Sequence, residues 1–184
     1  AAGFDARSGG TRFSFWHLTL GAWNLSCETY NSVTPTVASA LADIVGEANV
    51  ISSDPDLLEA YSHDEVPDPR YQHMPEAAVR PESAEQIAEI MKLANRERIP
   101  VTPRGAGSGL TGGAVPLRGG IVLLCDRMNR ILEIDPDNMM VVVQPGVVTN
   151  DINEALRPHG LFYAGYPMSL ETCYIGGNVA ENAG

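Results

Sequence analysis

The residues of this chain best suited to chemistry carry very little side chain. From Pro103 the sequence runs Pro103-Arg104-Gly105-Ala106-Gly107-Ser108-Gly109-Leu110-Thr111-Gly112-Gly113, with five glycines in eleven residues. Glycine admits positive φ and lets a ligand approach the main chain closely. Consecutive N–H groups in such a loop can converge on an anion. Arg104 adds a cation, and Ser108 and Thr111 add hydroxyl donors, so the set suits a pyrophosphate. A second run, Ile175-Gly176-Gly177-Asn178-Val179-Ala180-Glu181-Asn182-Ala183-Gly184, again combines glycines, small residues and side-chain amides. Each run alone also fits a plain structural turn, surface-exposed for the first and tightly packed for the second. Two such runs on one domain point to a long ligand gripped at two places.

Other chemistries fit less well. The letters Gly107 to Gly112 match the dinucleotide fingerprint, but that motif needs a helix beginning inside it. Here Gly112-Gly113-Ala114-Val115-Pro116-Leu117-Arg118-Gly119-Gly120 follows, and its proline and glycines would break a helix. No Lys-Ser or Lys-Thr pair makes a phosphate-binding P-loop. Cys27, Cys125 and Cys173 fit no zinc or iron–sulfur spacing, and their odd number argues against a disulfide framework. Cys173 reads as a small buried side chain. His63, His73 and His159 lack metal-ligand spacing and read as structural or solvated. The acidic run Asp54, Asp56, Glu59, Asp64, Glu65 and Asp68 reads as a solvated face.

The elements that must position these loops follow from pattern. Thr34 and Pro35 open a helix with Val37, Leu41, Ile44 and Val45 on one face, closed by Gly46. A short helix covers about Asp54 to Tyr61, and the prolines between His63 and Pro75 demand an extended loop. Ala77 to Arg80 reads as a strand. Ser83 and Gln86 form a capping box, and the helix beyond it buries Ile87, Ile90, Met91 and Ala94. Val101-Thr102 leads into the glycine loop, and Gly120 to Cys125 is another strand. Ile131 to Ile134 and Met139 to Gln144 form a hairpin across Asp135-Pro136-Asp137-Asn138. Thr149 caps a last helix carrying Ile152, Ala155 and Leu156, and Leu161 to Gly184 is loop-rich. This order predicts an α+β fold with mixed sheets.

The 184 residues are 44% hydrophobic and 19% charged, an ordinary globular mix. Residues 1 to 32 show no clear period and read as a poorly determined segment ahead of a domain covering 33–184. Twelve basic against 23 acidic residues give a net charge of −11, and a nucleic-acid binder needs the opposite footprint. Phe13 to Leu25 is too short to span a bilayer and lacks a signal-peptide cleavage site. A start at Ala1 and a stop at Gly184 inside a motif read as the ends of a fragment. The cysteine usage predicts a cytoplasmic location, with peripheral attachment to the inner membrane as a variant.

The two glycine runs, their order and the hairpin between them resemble the FAD-binding (PCMH-type) domain of the vanillyl-alcohol oxidase superfamily. Within it they are most similar to the glycolate oxidase large subunit and D-lactate dehydrogenase branch. The resemblance rests on Val101 to Val122, Met128 to Val147, His159 to Tyr163 and Ile175 to Gly184. It implies a mixed-sheet domain, truncated here, with FAD as cofactor. In the family the first loop wraps the FAD pyrophosphate, which places Pro103, Arg104, Gly105, Ala106, Gly107, Ser108, Gly109, Gly112 and Gly113 at the cofactor. Gly146, the segment Pro167, Met168, Ser169 and Thr172, and the cluster Gly176, Gly177, Asn178 and Ala180 complete the implied grip. The chain departs from many relatives at Tyr166 and Met168. The first loop has no histidine, with Ser108 near the place where some relatives attach FAD covalently, so non-covalent FAD is expected.

The implied activity is oxidation of a 2-hydroxy acid of the glycolate or D-lactate type, by hydride transfer to flavin N5. Electrons would leave to a quinone, an electron-transferring flavoprotein or an iron–sulfur subunit. The family's substrate-binding groups come from a later domain, so no catalytic residue is assigned here and the fragment alone is expected to be inactive. Two alternatives stand beside this reading: an FAD-linked oxidase of another alcohol or sugar, and a non-catalytic binding module whose glycine loops are structural.

Overall fold

A computed structural model describes residues 29–183. The expectations for Phe13 to Leu25, Cys27 and Gly184 lie outside the described residues. Helix α1 (Pro35–Val45) starts where expected, with Thr34 Oγ1 accepting the Val37 N–H at 3.3 Å. It buries Val37, Leu41 and Val45. Strand β1 (Val50–Ile51) and the short helix α2 (Pro55–Glu59) follow, then β2 (Ala77–Val79), α3 (Ala84–Glu97), β3 (Val101–Arg104) and β4 (Ile121–Leu124).

These strands form one mixed sheet in the order β1-β2-β4-β3. β2 and β3 both run parallel to β4, with Val79 opposite Leu123 and Arg104 opposite Leu124, while β1 is antiparallel to β2. Ala77, Val79, Ile121 and Leu123 face α1 and α3 in one core cluster. The alternate residues Ala78, Val122 and Leu124 pack with Leu58 of α2 on the other face. Burial on both faces explains why β2 and β4 are apolar throughout rather than alternating.

Helix α3 departs from its expected face. Ile90, Leu93 and Ala94 are buried, whereas Met91 is 44% exposed. With Ile90 at the centre of the buried stripe, Leu93 and Ala94 follow at i+3 and i+4, and Met91 is turned about 100° away. Half of the capping box forms. Ser83 Oγ accepts the Gln86 N–H at 3.3 Å, but the Gln86 side chain accepts from the Glu82 N–H and donates to the Ile44 carbonyl at 3.1 Å. That last bond ties α3 to the end of α1.

The second layer is the hairpin β5 (Ile131–Asp135) and β6 (Met140–Val143), with Asp135 opposite Met140. Asp135 accepts the Asn138 N–H at 3.1 Å and sets the turn. Against it pack α4 (Thr149–Leu156) and α5 (Ile175–Glu181), through a core of Val147, Ile152, Leu156 and Ile175. Two expectations are corrected here. Val148, not Thr149, is the cap of α4, and the wholly buried Thr149 turns its hydroxyl to the Cys173 carbonyl. The second glycine run is not loop throughout, since Ile175–Glu181 is helical and ends at left-handed Asn182. Its two glycines hide the helix from propensity, and burial of Ile175 and Asn178 holds it. Among the described residues no helix is long and apolar enough to cross a membrane.

Candidate functional site

The glycine loop leaves the carboxyl end of β3, the side of a parallel sheet where ligands settle. From Gly105 to Gly120 it contains no helix. It faces α5 across a cleft of about 700 Å³. Gly105, Ala106, Gly107, Ser108 and Gly109 form one wall, and Pro167, Met168, Ser169, Gly177 and Asn178 line the rest. Thr111 Oγ1 reaches Glu181 at 2.7 and 2.8 Å, so the two glycine runs meet at one rim.

Among the described residues, none of the backbone N–H groups from Gly105 to Thr111 donates a hydrogen bond. All of those residues line the cleft. Unpaired amides in a row are what an anion requires, so the loop fits the pyrophosphate of a dinucleotide. Among the described residues no lysine, arginine or histidine lines the cleft, and its titratable side chains include the acids Asp64, Glu65 and Glu181. Among the described lining residues, the groups able to donate to an anion therefore belong to the main chain and to hydroxyls.

The loop is tied to residues about forty positions earlier in the chain. Asp64 is 6% exposed and accepts the Gly112 N–H at 2.8 Å and the Val66 N–H at 3.0 Å. The Glu65 N–H donates to the Gly109 carbonyl at 3.0 Å. Arg104 is directed away from the cleft wall. Its guanidinium donates to the carbonyls of His63 at 2.7 Å and Ala60 at 3.3 Å, and lies 5.9 Å from the Tyr61 ring centre. A Cβ on Gly107 would stand 2.5 Å from Arg104 Cζ, so the buried cation lies directly beneath that glycine. Burial lowers the Arg104 pKa and the nearby Asp64 opposes that shift, but a guanidinium stays charged regardless.

The other residues named from sequence are not among those lining the cleft. Pro103 belongs to β3. The Gly113 N–H turns to Thr111 Oγ1 at 3.4 Å. Gly146 packs on main chain, where a Cβ would stand 2.8 Å from the Cys125 carbonyl carbon. The Gly176 N–H donates to the Pro145 carbonyl at 2.9 Å, and Thr172 Oγ1 donates to the Ser169 carbonyl at 3.2 Å. Ala180 is exposed on α5.

Sequence reasoning missed three contributors. Asp64 is no part of a solvated face, and its signal is the Asx turn it makes with Val66. Tyr174 lines the cleft and packs on Gly105. Burial, then the negative charge of Asp126, raises its phenol pKa. Glu181 gave no signal, because its partner Thr111 lies seventy residues away.

Residues 75–184 match the family model described as FAD binding domain. Over 152 residues the chain is 41% identical to the glycolate oxidase subunit GlcD of Bacillus subtilis (strain 168), matching 83% of this chain and 32% of that protein. It is 38% identical over 156 residues to the D-lactate dehydrogenase of Anaerostipes hadrus, matching 84% and 32% of the two chains. The chain thus spans about a third of the length of these curated relatives. In three dimensions it is similar to alkyldihydroxyacetonephosphate synthase with a TM-score of 0.72, at 21% identity over 83% of this chain and 30% of that one. That likeness is one of fold, the mixed-sheet PCMH type. The family match and the amide-lined cleft agree, and the chain belongs to the FAD binding domain family.

Proposed function

We propose that this chain holds FAD non-covalently, with the pyrophosphate against the N–H groups of Gly105 to Thr111. The protein that contains it oxidises a 2-hydroxy acid of the glycolate or D-lactate type. The observation that carries the reading is the row of backbone N–H groups without a partner among the described residues, on residues that line a cleft whose far wall includes the second glycine run. Similarity to GlcD and to D-lactate dehydrogenase supports the substrate class.

When bound, FAD supplies the two-electron redox chemistry, with N5 as the hydride acceptor. This chain's residues do the holding. The amides cradle the phosphates, Arg104 and Asp64 fix the loop, and Pro167 to Ser169, Gly177 and Asn178 close the cleft. The base for the substrate hydroxyl and the cations for its carboxylate are placed outside this chain. Electrons leave to an acceptor other than NAD: a quinone, an electron-transferring flavoprotein or an iron–sulfur partner. Non-covalent attachment is supported by the lack of histidine among the described residues that line the cleft and by the burial of Cys173.

The test is the visible spectrum of the purified protein before and after FAD reconstitution, followed by acid precipitation. Flavin absorption that passes wholly to the supernatant is expected. Flavin retained on the precipitated chain would exclude the non-covalent form, and no uptake at all would favour a structural role for the loops. Dye reduction by glycolate and D-lactate, compared with sugars and simple alcohols, checks the substrate class.

A further inference from the structure

A buried polar cluster beneath α5 is not explained by the fold alone. Thr149 is wholly buried at the start of α4, Cys173 is 3% exposed, and Asn178 is 6% exposed on α5. Thr149 Oγ1 lies 3.3 Å from the Cys173 carbonyl, which can only accept, so the hydroxyl donates there. Its lone pairs are then free to receive the Asn178 amide, which lies 2.6 Å away. Only Nδ2 can donate in that contact. The same Nδ2 also points at the Cys173 sulfur at 3.3 Å. The orientation of the Asn178 side chain is thus determined by its neighbours.

With Nδ2 turned inward, Oδ1 is left over. Among the described residues it accepts no hydrogen bond. It is not sealed off either, since the only wholly enclosed side-chain oxygen without a partner among the described residues is Oδ1 of Asp126. Asn178 lines the cleft. An amide oxygen that is accessible, held in one orientation and without a protein partner among the described residues is free to accept from a donor in the cleft.

We propose that Thr149 and Cys173 are positioning residues that lock the Asn178 amide with its oxygen toward the cleft. There it accepts a hydrogen bond from an N–H or O–H donor of the bound dinucleotide. This rests on the cleft being the FAD site. It adds a donor-specific contact to a grip otherwise made by main-chain amides, which recognise only acceptors. Thr149 touches no ligand and acts through Asn178.

The experiment measures FAD affinity and the bound-flavin absorption spectrum for wild type, Asn178→Leu, Thr149→Val, the double variant and Thr149→Ser. One hydrogen bond lost should weaken FAD by about tenfold. Asn178→Leu and Thr149→Val are each expected to show that loss with a shifted flavin spectrum. The double variant should be no weaker than Asn178→Leu, because the two act through one contact. Thr149→Ser keeps the hydroxyl and should bind like wild type. Unchanged affinity and spectrum in Thr149→Val, or losses that multiply in the double variant, would overturn the proposal. Should Asn178→Leu fail to fold, the Thr149→Val and Thr149→Ser pair still decides the matter, because the first keeps the shape without the hydroxyl and the second keeps the hydroxyl without the methyl. Absence of FAD binding by the wild type would instead overturn the functional reading itself.

Discussion

Replacing Gly107 by alanine should damage both the loop and its cofactor affinity, and the size of the effect can be worked out. Gly107 has φ of +77°, and an L-residue in the left-handed region costs about 1–2 kcal/mol. Its new Cβ would stand 2.5 Å from Arg104 Cζ, so the guanidinium must move. The guanidinium is bonded to the carbonyls of His63 and Ala60, and a hydrogen bond from a charged group is worth about 1.5–3 kcal/mol. Partial relaxation of the arginine leaves a total of about 2–5 kcal/mol across the two effects. If the loop deforms to escape the clash, its amides no longer converge. A 2 kcal/mol loss then corresponds to FAD binding about thirtyfold weaker. Flavin titration followed by fluorescence, with thermal unfolding alongside, reads both. Gly160→Ala is the control: φ is +70° but nothing lies within 4 Å of a Cβ there, so it carries backbone strain alone. If Gly107→Ala loses no more stability than Gly160→Ala and binds FAD within threefold of wild type, the clash argument is wrong.

Three further outcomes are expected. Asp64→Ala removes the acceptor for the Gly112 and Val66 N–H groups. It should destabilise the protein by about 2–4 kcal/mol in urea unfolding and weaken FAD binding, although Asp64 repels phosphate by charge. Gly146→Ala overpacks the main chain at Cys125 and Met128, and should cost about 1–3 kcal/mol or more in the same assay. Stability should also fall as pH rises past the ordinary thiol value of 9.0, because burial, then Asp126, raises the Cys125 pKa. In that window the unfolded chain releases the thiol proton while the folded chain keeps it, so unfolding is favoured by rising pH. Urea unfolding of wild type and Cys125→Ser at about pH 8 and about pH 10 checks this, with the serine variant showing the shallower fall.

Local signals carried much of this architecture in the sequence. Thr34-Pro35 and Gly46 delimit α1 because caps and stops act over one turn. The hairpin was legible because Asp135 and Asn138 are three residues apart. The absence of a helix after Gly109 could be read from Pro116 and the glycines around it. What failed was non-local or ambiguous in period. Met91 and Leu93 are both apolar neighbours of Ile90, and only packing against the sheet chooses between them. Thr149 has the letters of a cap but lies one residue inside α4, drawn in by Cys173 and Asn178. The same limit applies at the site. The glycines announce themselves, whereas the direction of the Arg104 side chain depends on carbonyls at positions 60 and 63.

The support beneath the glycine loop bears on any attempt to transplant it. Copying Val101 to Gly120 into another parallel sheet would transfer the flexible letters without their mould. In this protein the bend is imposed by Asp64, by the main chain of Glu65 and by the Arg104 contacts to Ala60 and His63. A working graft has to bring Ala60 to Val66 as well, held at the same height under the turn. Drift at those inconspicuous positions would be felt by the ligand as surely as a change in the loop itself.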